Sequence, residues 1–328
     1  MPPALPADVV DVTERTLTRS VRLDWDAFRR NSTAVALGSW LEAWQKNRLV
    51  HCITMEGKYG GFAAATAEEL GHCYDLYRAM RRVDPADDDD DKFVEEDRKK
   101  APWSKPQLKD DGTKQALTVS VATDTIVTAG GLGLLGRFAV TTNDVVFVSP
   151  MDPASRDDVP RFIDGGIGYR LAKTGAYGRC AALAGLDVVG TDLTLAGVAT
   201  HVVTHNAMET FLYDLEETVK SEPTDLHDLV AGSLDISGTI ADYLLVNPTP
   251  DDPHDDDSDL VEFRRLSEEY FPASDLDDTI ARLQRAPDAD RNAKVVLANI
   301  RANERDARIL ARLLADCADL SFEDALNI

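Results

Sequence analysis

Residues 129–203 read AGGLGLLGRFAVTTNDVVFVSPMDPASRDDVPRFIDGGIGYRLAKTGAYGRCAALAGLDVVGTDLTLAGVATHVV, and their order of turn, strand and helix signals decides the fold class. The run opens on a glycine turn, Ala129-Gly130-Gly131-Leu132-Gly133, fed by the β-rich run 117–122. Residues 137–140 and 145–148 then read as short strands on either side of the turn signal TTND. Residues 168–184 carry apolar residues at helical spacing and read as one helix or a pair. Upstream, Trp40, Leu41 and Trp44 share one helical face, a core pattern, and residues 49–55 (LVHCITM) form a strand signal. Beyond Val203 the periodicity turns helical, over 208–220, 226–234, 259–270, 276–284 and 293–317. Alternating strands and helices followed by helices alone imply an α/β core with an α-helical C-terminal region.

Three segments stand outside the core pattern. Residues 83–112 hold Asp87 to Asp91 and the cluster Arg98-Lys99-Lys100, and read as a solvated insertion or a docking arm. Residues 247–259 (NPTPDDPHDDDSD) read as a charged loop, and residues 1–6 are Pro-rich. The expected division is an N-terminal arm over 1–20, a core over 21–205 and a helical region over 206–328.

Composition excludes several functions. In a chain of 328 residues, the net charge of −23 argues against wide contact with a nucleic-acid backbone, so the partners are expected to be proteins. No apolar run is long enough to span a bilayer, so no membrane is expected. Cys52, Cys73, Cys180 and Cys317 have neither CxxC spacing nor a histidine partner at metal-ligand intervals. They imply buried thiols in a reducing compartment and no metal site. His51 lies in a predicted strand, and His72, His205, His227 and His254 lack a serine or cysteine partner at any suggestive position.

Two glycine turns carry the chemistry. Gly57-Lys58-Tyr59-Gly60-Gly61-Phe62 follows one strand signal, and the turn at 129–133 follows another. No Lys-Ser/Thr follows the second turn, which excludes a P-loop, and a dinucleotide fold is a poor match because the glycines sit mid-chain and no suitable acid follows a second strand. Two such turns, each donating one backbone N–H, would form an oxyanion hole for thioester chemistry.

Residues 129–203 resemble the 3-hydroxyisobutyryl-CoA hydrolase branch of the enoyl-CoA hydratase/isomerase (crotonase) superfamily. The matching motifs are Gly130 to Leu134, Pro150 onward, Ile163-Asp164-Gly165-Gly166-Ile167-Gly168-Tyr169, Leu183-Ala184-Gly185 and the run from Ala196 to Val203 that contains Ala199-Thr200-His201. Weaker likeness extends over 31–61 and 286–325. The resemblance implies the crotonase (ClpP-like) fold of repeated ββα units, with the amides of Gly61 and Gly130 as the oxyanion hole and His201 in a structural turn. It further implies no cofactor, a CoA thioester as substrate where the chain is active, and a mitochondrial location.

The chain departs from the family pattern at its acid–base pair. That pattern places Glu after the proline and Asp eight residues later. Here Asp164 keeps the second position, Met151 follows Pro150, and counting back eight from Asp164 reaches Arg156. The intervening segment is longer by about five residues and offers Asp152, Asp157 and Asp158 as substitutes. Phe62 replaces an acid after the first glycine turn, and Ala129 replaces the first glycine of the second. The family's pattern also runs on past the LSFEDAL-like segment, whereas this sequence ends at Ile328. A methionine transfers no proton, so the expectation is a catalytically degenerate hydrolase-like protein serving as a structural or assembly subunit. Relatives of this branch in mitochondrial small ribosomal subunits supply the expected partners, mitochondrial ribosomal proteins, with little direct nucleic-acid contact. The alternative is an active acyl-CoA thioester hydrolase using the oxyanion hole and Asp164.

Overall fold

A computed structural model describes residues 4–15, 18–24, 33–47, 50, 52–57, 117–123, 126–127, 138–151, 165–221, 258–272 and 275–320. Strands β1 (Val10–Glu14) and β2 (Thr18–Leu23) form an antiparallel hairpin, and β3 (Cys52–Gly57) runs parallel to β2. Strands β4 (Leu117–Ala122) and β6 (Phe138–Thr142) extend the sheet in parallel. Strand β9 (His201–Val203) closes it, giving the order β1-β2-β3-β4-β6-β9. Strands β5 (Ile126–Val127), β7 (Val146–Val148) and β8 (Val188–Val189) make a second, three-stranded sheet in the order β5-β7-β8.

Within residues 1–20, assigned to an arm from sequence, Val10–Glu14 form β1 and residues 18–20 begin β2. Their alternation is masked by charge. Val10 is buried while Asp11, Thr13 and Glu14 are exposed, so the strand reads as polar although its inner positions are apolar. On β2 and β3 the inward residues Val21, Leu23, Ile53 and Met55 are buried. They share one core cluster with Leu37, Leu41 and Trp44 of helix α1 (Thr33–Lys46). Trp40, also on α1, lies 5.7 Å from Trp44, ring to ring, and is half-buried.

The segment read as one or two helices is two. Helices α2 (Gly165–Lys173) and α3 (Ala176–Leu183) part at Gly175, whose φ is +62. A left-handed residue ends a helix cheaply only as glycine. The Thr174 hydroxyl spans the break, lying 2.9 Å from the carbonyls of both Leu171 and Ala196. The short helix α4 (Asp192–Leu195) then leads to β9, and α5 (Met208–Ser221) follows.

The C-terminal helices α6 (Ser258–Tyr270), α7 (Leu276–Gln284), α8 (Arg291–Ala302) and α9 (Glu304–Ala318) are amphipathic. Asp275 and Asp290 cap α7 and α8, accepting from the N–H groups of Asp277 and Ala293. The run 293–317, read from sequence as one helix, breaks at Asn303. Helix α9 packs along α2 and α3, with Cys317 Sγ 3.5 Å from the point a Cβ on Gly168 would occupy. Arg179 of α3 donates to the Phe271 and Pro272 carbonyls at the end of α6, at 2.8–3.1 Å. Among the described residues, no helix is long and apolar enough to cross a membrane. Cys52, Cys180 and Cys317 are buried thiols outside any disulfide, whereas Cys73 lies outside the described residues.

Candidate functional site

The second sheet positions the site. Strands β5 and β7 run parallel, with Ile126 opposite Phe147 and Val127 opposite Val148. The strand that leads toward Gly130 therefore ends beside the strand that leads to Met151, since parallel neighbours deliver their C-terminal ends to one edge. Helix α2 starts at the residue after Asp164. Gly61, Gly130 and Asp164 themselves lie outside the described residues, as do Asp152, Arg156, Asp157 and Asp158. Of the residues singled out from sequence at the acid–base position, Met151 is described.

Met151 is fully buried, 0% exposed, and belongs to the apolar core cluster with Phe147, Ile167 and Leu171. Its backbone is closely held. The N–H of Met151 lies 3.4 Å from Ser149 Oγ, and that hydroxyl faces the Ala182 carbonyl at 3.5 Å, both long contacts. On the other side stands Gly185, at φ +68, just past the end of α3. A Cβ built there would fall 2.6 Å from the Met151 carbonyl oxygen and 2.6 Å from Asn299 Nδ2. Asn299, on α8 and 7% exposed, donates to the carbonyls of Ala184 at 3.1 Å and Gly185 at 3.4 Å. These carbonyls end α3 and have no partner within the helix, so a buried side-chain amide satisfies them.

The Ala199-Thr200-His201 turn fastens the start of the large sheet's last ladder. Thr200 Oγ1 accepts from the Ala139 N–H at 2.9 Å and donates to its carbonyl at 3.0 Å. His201 Nδ1 lies 2.8 Å from the same hydroxyl. The Ala139 carbonyl also accepts from the Thr200 N–H at 2.8 Å, so the hydroxyl proton serves either that carbonyl or Nδ1. Burial pulls the His201 pKa down to about 4, which keeps the ring neutral.

Asp192 is the most deeply buried acid among the described residues, 1% exposed. Burial pushes its pKa up to about 6, against the pull of Arg264, whose Nε sits 3.1 Å from Oδ1. Nearby, Tyr177 donates to Glu268 at 2.6 Å, and its phenol is pushed up to about 12 by burial and that bond. These groups join α3, α4 and α6. Burial lifts the thiols of Cys52 and Cys180 to about 12, so neither is a nucleophile at neutral pH. No group of three or more histidine, cysteine or acidic side chains able to hold a metal exists among the described residues.

Asn299 and Gly185 were not legible as partners of residue 151. Gly185 stood in a motif, but nothing in the sequence connects position 299 to it across 114 residues.

Comparison with known proteins bears on this geometry. A family model described as enoyl-CoA hydratase/isomerase matches residues 30–328. Among curated proteins, "3-hydroxyisobutyryl-CoA hydrolase, mitochondrial" of Dictyostelium discoideum is 32% identical over 126 residues, 36% of this chain and 32% of that protein. "Probable 3-hydroxyisobutyryl-CoA hydrolase 3" of Arabidopsis thaliana is 29% identical over 126 residues, 38% of this chain and 29% of that one. The matched stretch therefore spans about a third of these relatives' own length. Two crystal structures share the fold. A carnitinyl-CoA dehydratase from Mycobacterium thermoresistibile has a TM-score of 0.62 at 19% identity, covering 97% of this chain and 82% of that one. An enoyl-CoA hydratase from Rhodobacter sphaeroides 2.4.1 has a TM-score of 0.59 at 16% identity, covering 97% and 84%. The mixed α/β architecture, with its parallel-rich sheet, is the crotonase fold anticipated from sequence.

Proposed function

Because the chain belongs to the enoyl-CoA hydratase/isomerase family, we propose that it is a 3-hydroxyisobutyryl-CoA hydrolase-like protein that has lost the hydrolysis and serves as a structural or assembly subunit. The observation that supports this is the seat of Met151. The residue that follows Pro150, where the family pattern places its glutamate, is apolar and fully buried. It sits in a closely packed shell with Ser149, Gly185 and Asn299 around its backbone. A carboxylate at an acid–base position must meet the thioester and its attacking water, and a thioether enclosed in the core does neither.

The same reading covers the rest of the shell. Thr200, Thr174, Arg179 and Asn299 all bond backbone carbonyls, so the polar side chains around the core hold its helices and strands together. The partners proposed are proteins of the mitochondrial small ribosomal subunit. The family resemblance supports that choice, and the net charge of −23 directs the contact toward basic protein surfaces rather than RNA.

The test uses the full chain in two assays. Co-sedimentation with small ribosomal subunits from mitochondria at moderate salt, without release of free thiol from 3-hydroxyisobutyryl-CoA, supports the reading. Steady thiol release that Asp164→Asn abolishes overturns it in favour of an active hydrolase. Sedimentation as a free protein rejects the ribosomal partner.

A further inference from the structure

We infer that Asn299 is the positioning residue for position 151: the side-chain amide of helix α8 fixes how the residue at the family's acid–base position is seated in the core. The inference builds on the assignment of position 151 made above, but it concerns what holds that position, whichever side chain occupies it.

Three groups close on a single small volume. Gly185 leaves it open by lacking a Cβ, and a Cβ there would lie 2.6 Å from the Met151 carbonyl oxygen and 3.1 Å from its carbonyl carbon. Asn299 Nδ2 lies 2.6 Å from that same point. Backbone at residue 151 and side chain at residue 299 thus approach one glycine from different elements. Asn299 holds Gly185 by its carbonyl, and Gly185 in turn packs against the Met151 carbonyl, so the amide acts on residue 151 through the glycine.

The amide is also directional. Nδ2 donates to two carbonyl oxygens, Ala184 at 3.1 Å and Gly185 at 3.4 Å. An aspartate of the same shape would set oxygen against oxygen there and push Gly185 away. A leucine would fill the space without holding either carbonyl, leaving both buried and unsatisfied. Asn299 is itself 7% exposed, and a polar side chain so buried is tolerated where its bonds are made. Helix α8 therefore reaches Met151 through Gly185. The C-terminal helical region is part of the site's frame rather than an appendage to it.

Methionine methyl spectra of the full chain, labelled with ¹³C at the methyl carbons, read this directly. Met151→Leu identifies the Met151 signal by its loss. Met55, 1% exposed on β3, and Met208, 5% exposed on α5, are internal controls in the same spectrum. Asn299→Leu and Asn299→Asp are expected to shift or split the Met151 methyl signal while those of Met55 and Met208 stay in place. A merely structural loss would move all three together. A folded Asn299→Asp or Asn299→Leu chain with an unshifted Met151 signal overturns the inference. In the unmutated chain, nuclear Overhauser contacts between the Asn299 amide protons and the Gly185 α-protons are expected, and their absence overturns it even if neither variant folds. Neither reading depends on turnover, so an active enzyme would end the proposed function and leave this inference standing.

Discussion

Replacing Met151 by glutamate restores the family's acid at that position and tests what its surroundings permit. The side chain would enter a position that is 0% exposed and packed among apolar residues. Burial of this degree raises a carboxyl pKa by as much as 3–5 units from about 4.3. Taking about 3 units at about 1.4 kcal/mol each gives about 4 kcal/mol. The sign follows from proton counting. The folded Met151→Glu chain binds its proton up to about pH 7.3 and the unfolded chain releases it near pH 4.3, so stability falls as pH rises through that window. Urea midpoints measured at pH 5 and pH 8 read the difference. Met151→Glu should lose several kcal/mol more at pH 8 than at pH 5, while Met151→Leu should cost under about 1.5 kcal/mol with no such dependence. A Met151→Glu chain as stable as Met151→Leu at pH 8 would mean that donors already wait for a carboxylate, and the apolar-seat argument would fail.

Three further outcomes follow from described contacts. Gly185→Ala combines left-handed backbone strain at φ +68 with a Cβ driven into the Met151 carbonyl, so thermal unfolding should show a loss of about 3 kcal/mol. Asp290→Ala removes the cap of α8 and the acceptor of Arg265 and Tyr270, and chemical denaturation at pH 7 should register about 3 kcal/mol. Although burial works against it, Asp290 is held down to about 2 by Arg265, the Ala293 N–H and Tyr270. Its contribution in the unmutated chain is thus complete above about pH 4 and lost toward pH 2, worth about 2 kcal/mol. Arg264→Met strands the buried Asp192 carboxylate and should cost about 3 kcal/mol at pH 8; without Arg264 to hold it down the carboxyl takes up its proton above about pH 6, so the cost shrinks as the pH falls from 8 toward 6.

The parts of the fold that were legible are those where local pattern and tertiary role agree. Strand β4 and helix α7 fall at the residues their periodicity marks, and β3 lies three residues later at its start than the apolar run suggests, because Leu49 and Val50 precede the ladder. The breaks at Gly175 and Asn303 were harder, since apolar spacing continues across both and only backbone conformation ends the helices. Strand β1 hid behind its exposed acids. At the site, the Met151 substitution was visible as a letter, but its enclosure was not. The contact that encloses it joins residues 185 and 299, and no spacing rule connects a helix-ending glycine to an asparagine on a remote helix. The segment 226–234, read as a helix, lies outside the described residues.

The central claim is that no proton-transfer pair remains beside the acyl site, and thioester turnover tests it most directly. Purified full-length chain and its Asp164→Asn variant are incubated with 3-hydroxyisobutyryl-CoA while free CoA thiol is followed. The prediction is that both release thiol at the rate of the protein-free control. Release by the unmutated chain that falls about 10²-fold or more in Asp164→Asn, the loss typical of a positioned acid–base group, would contradict it.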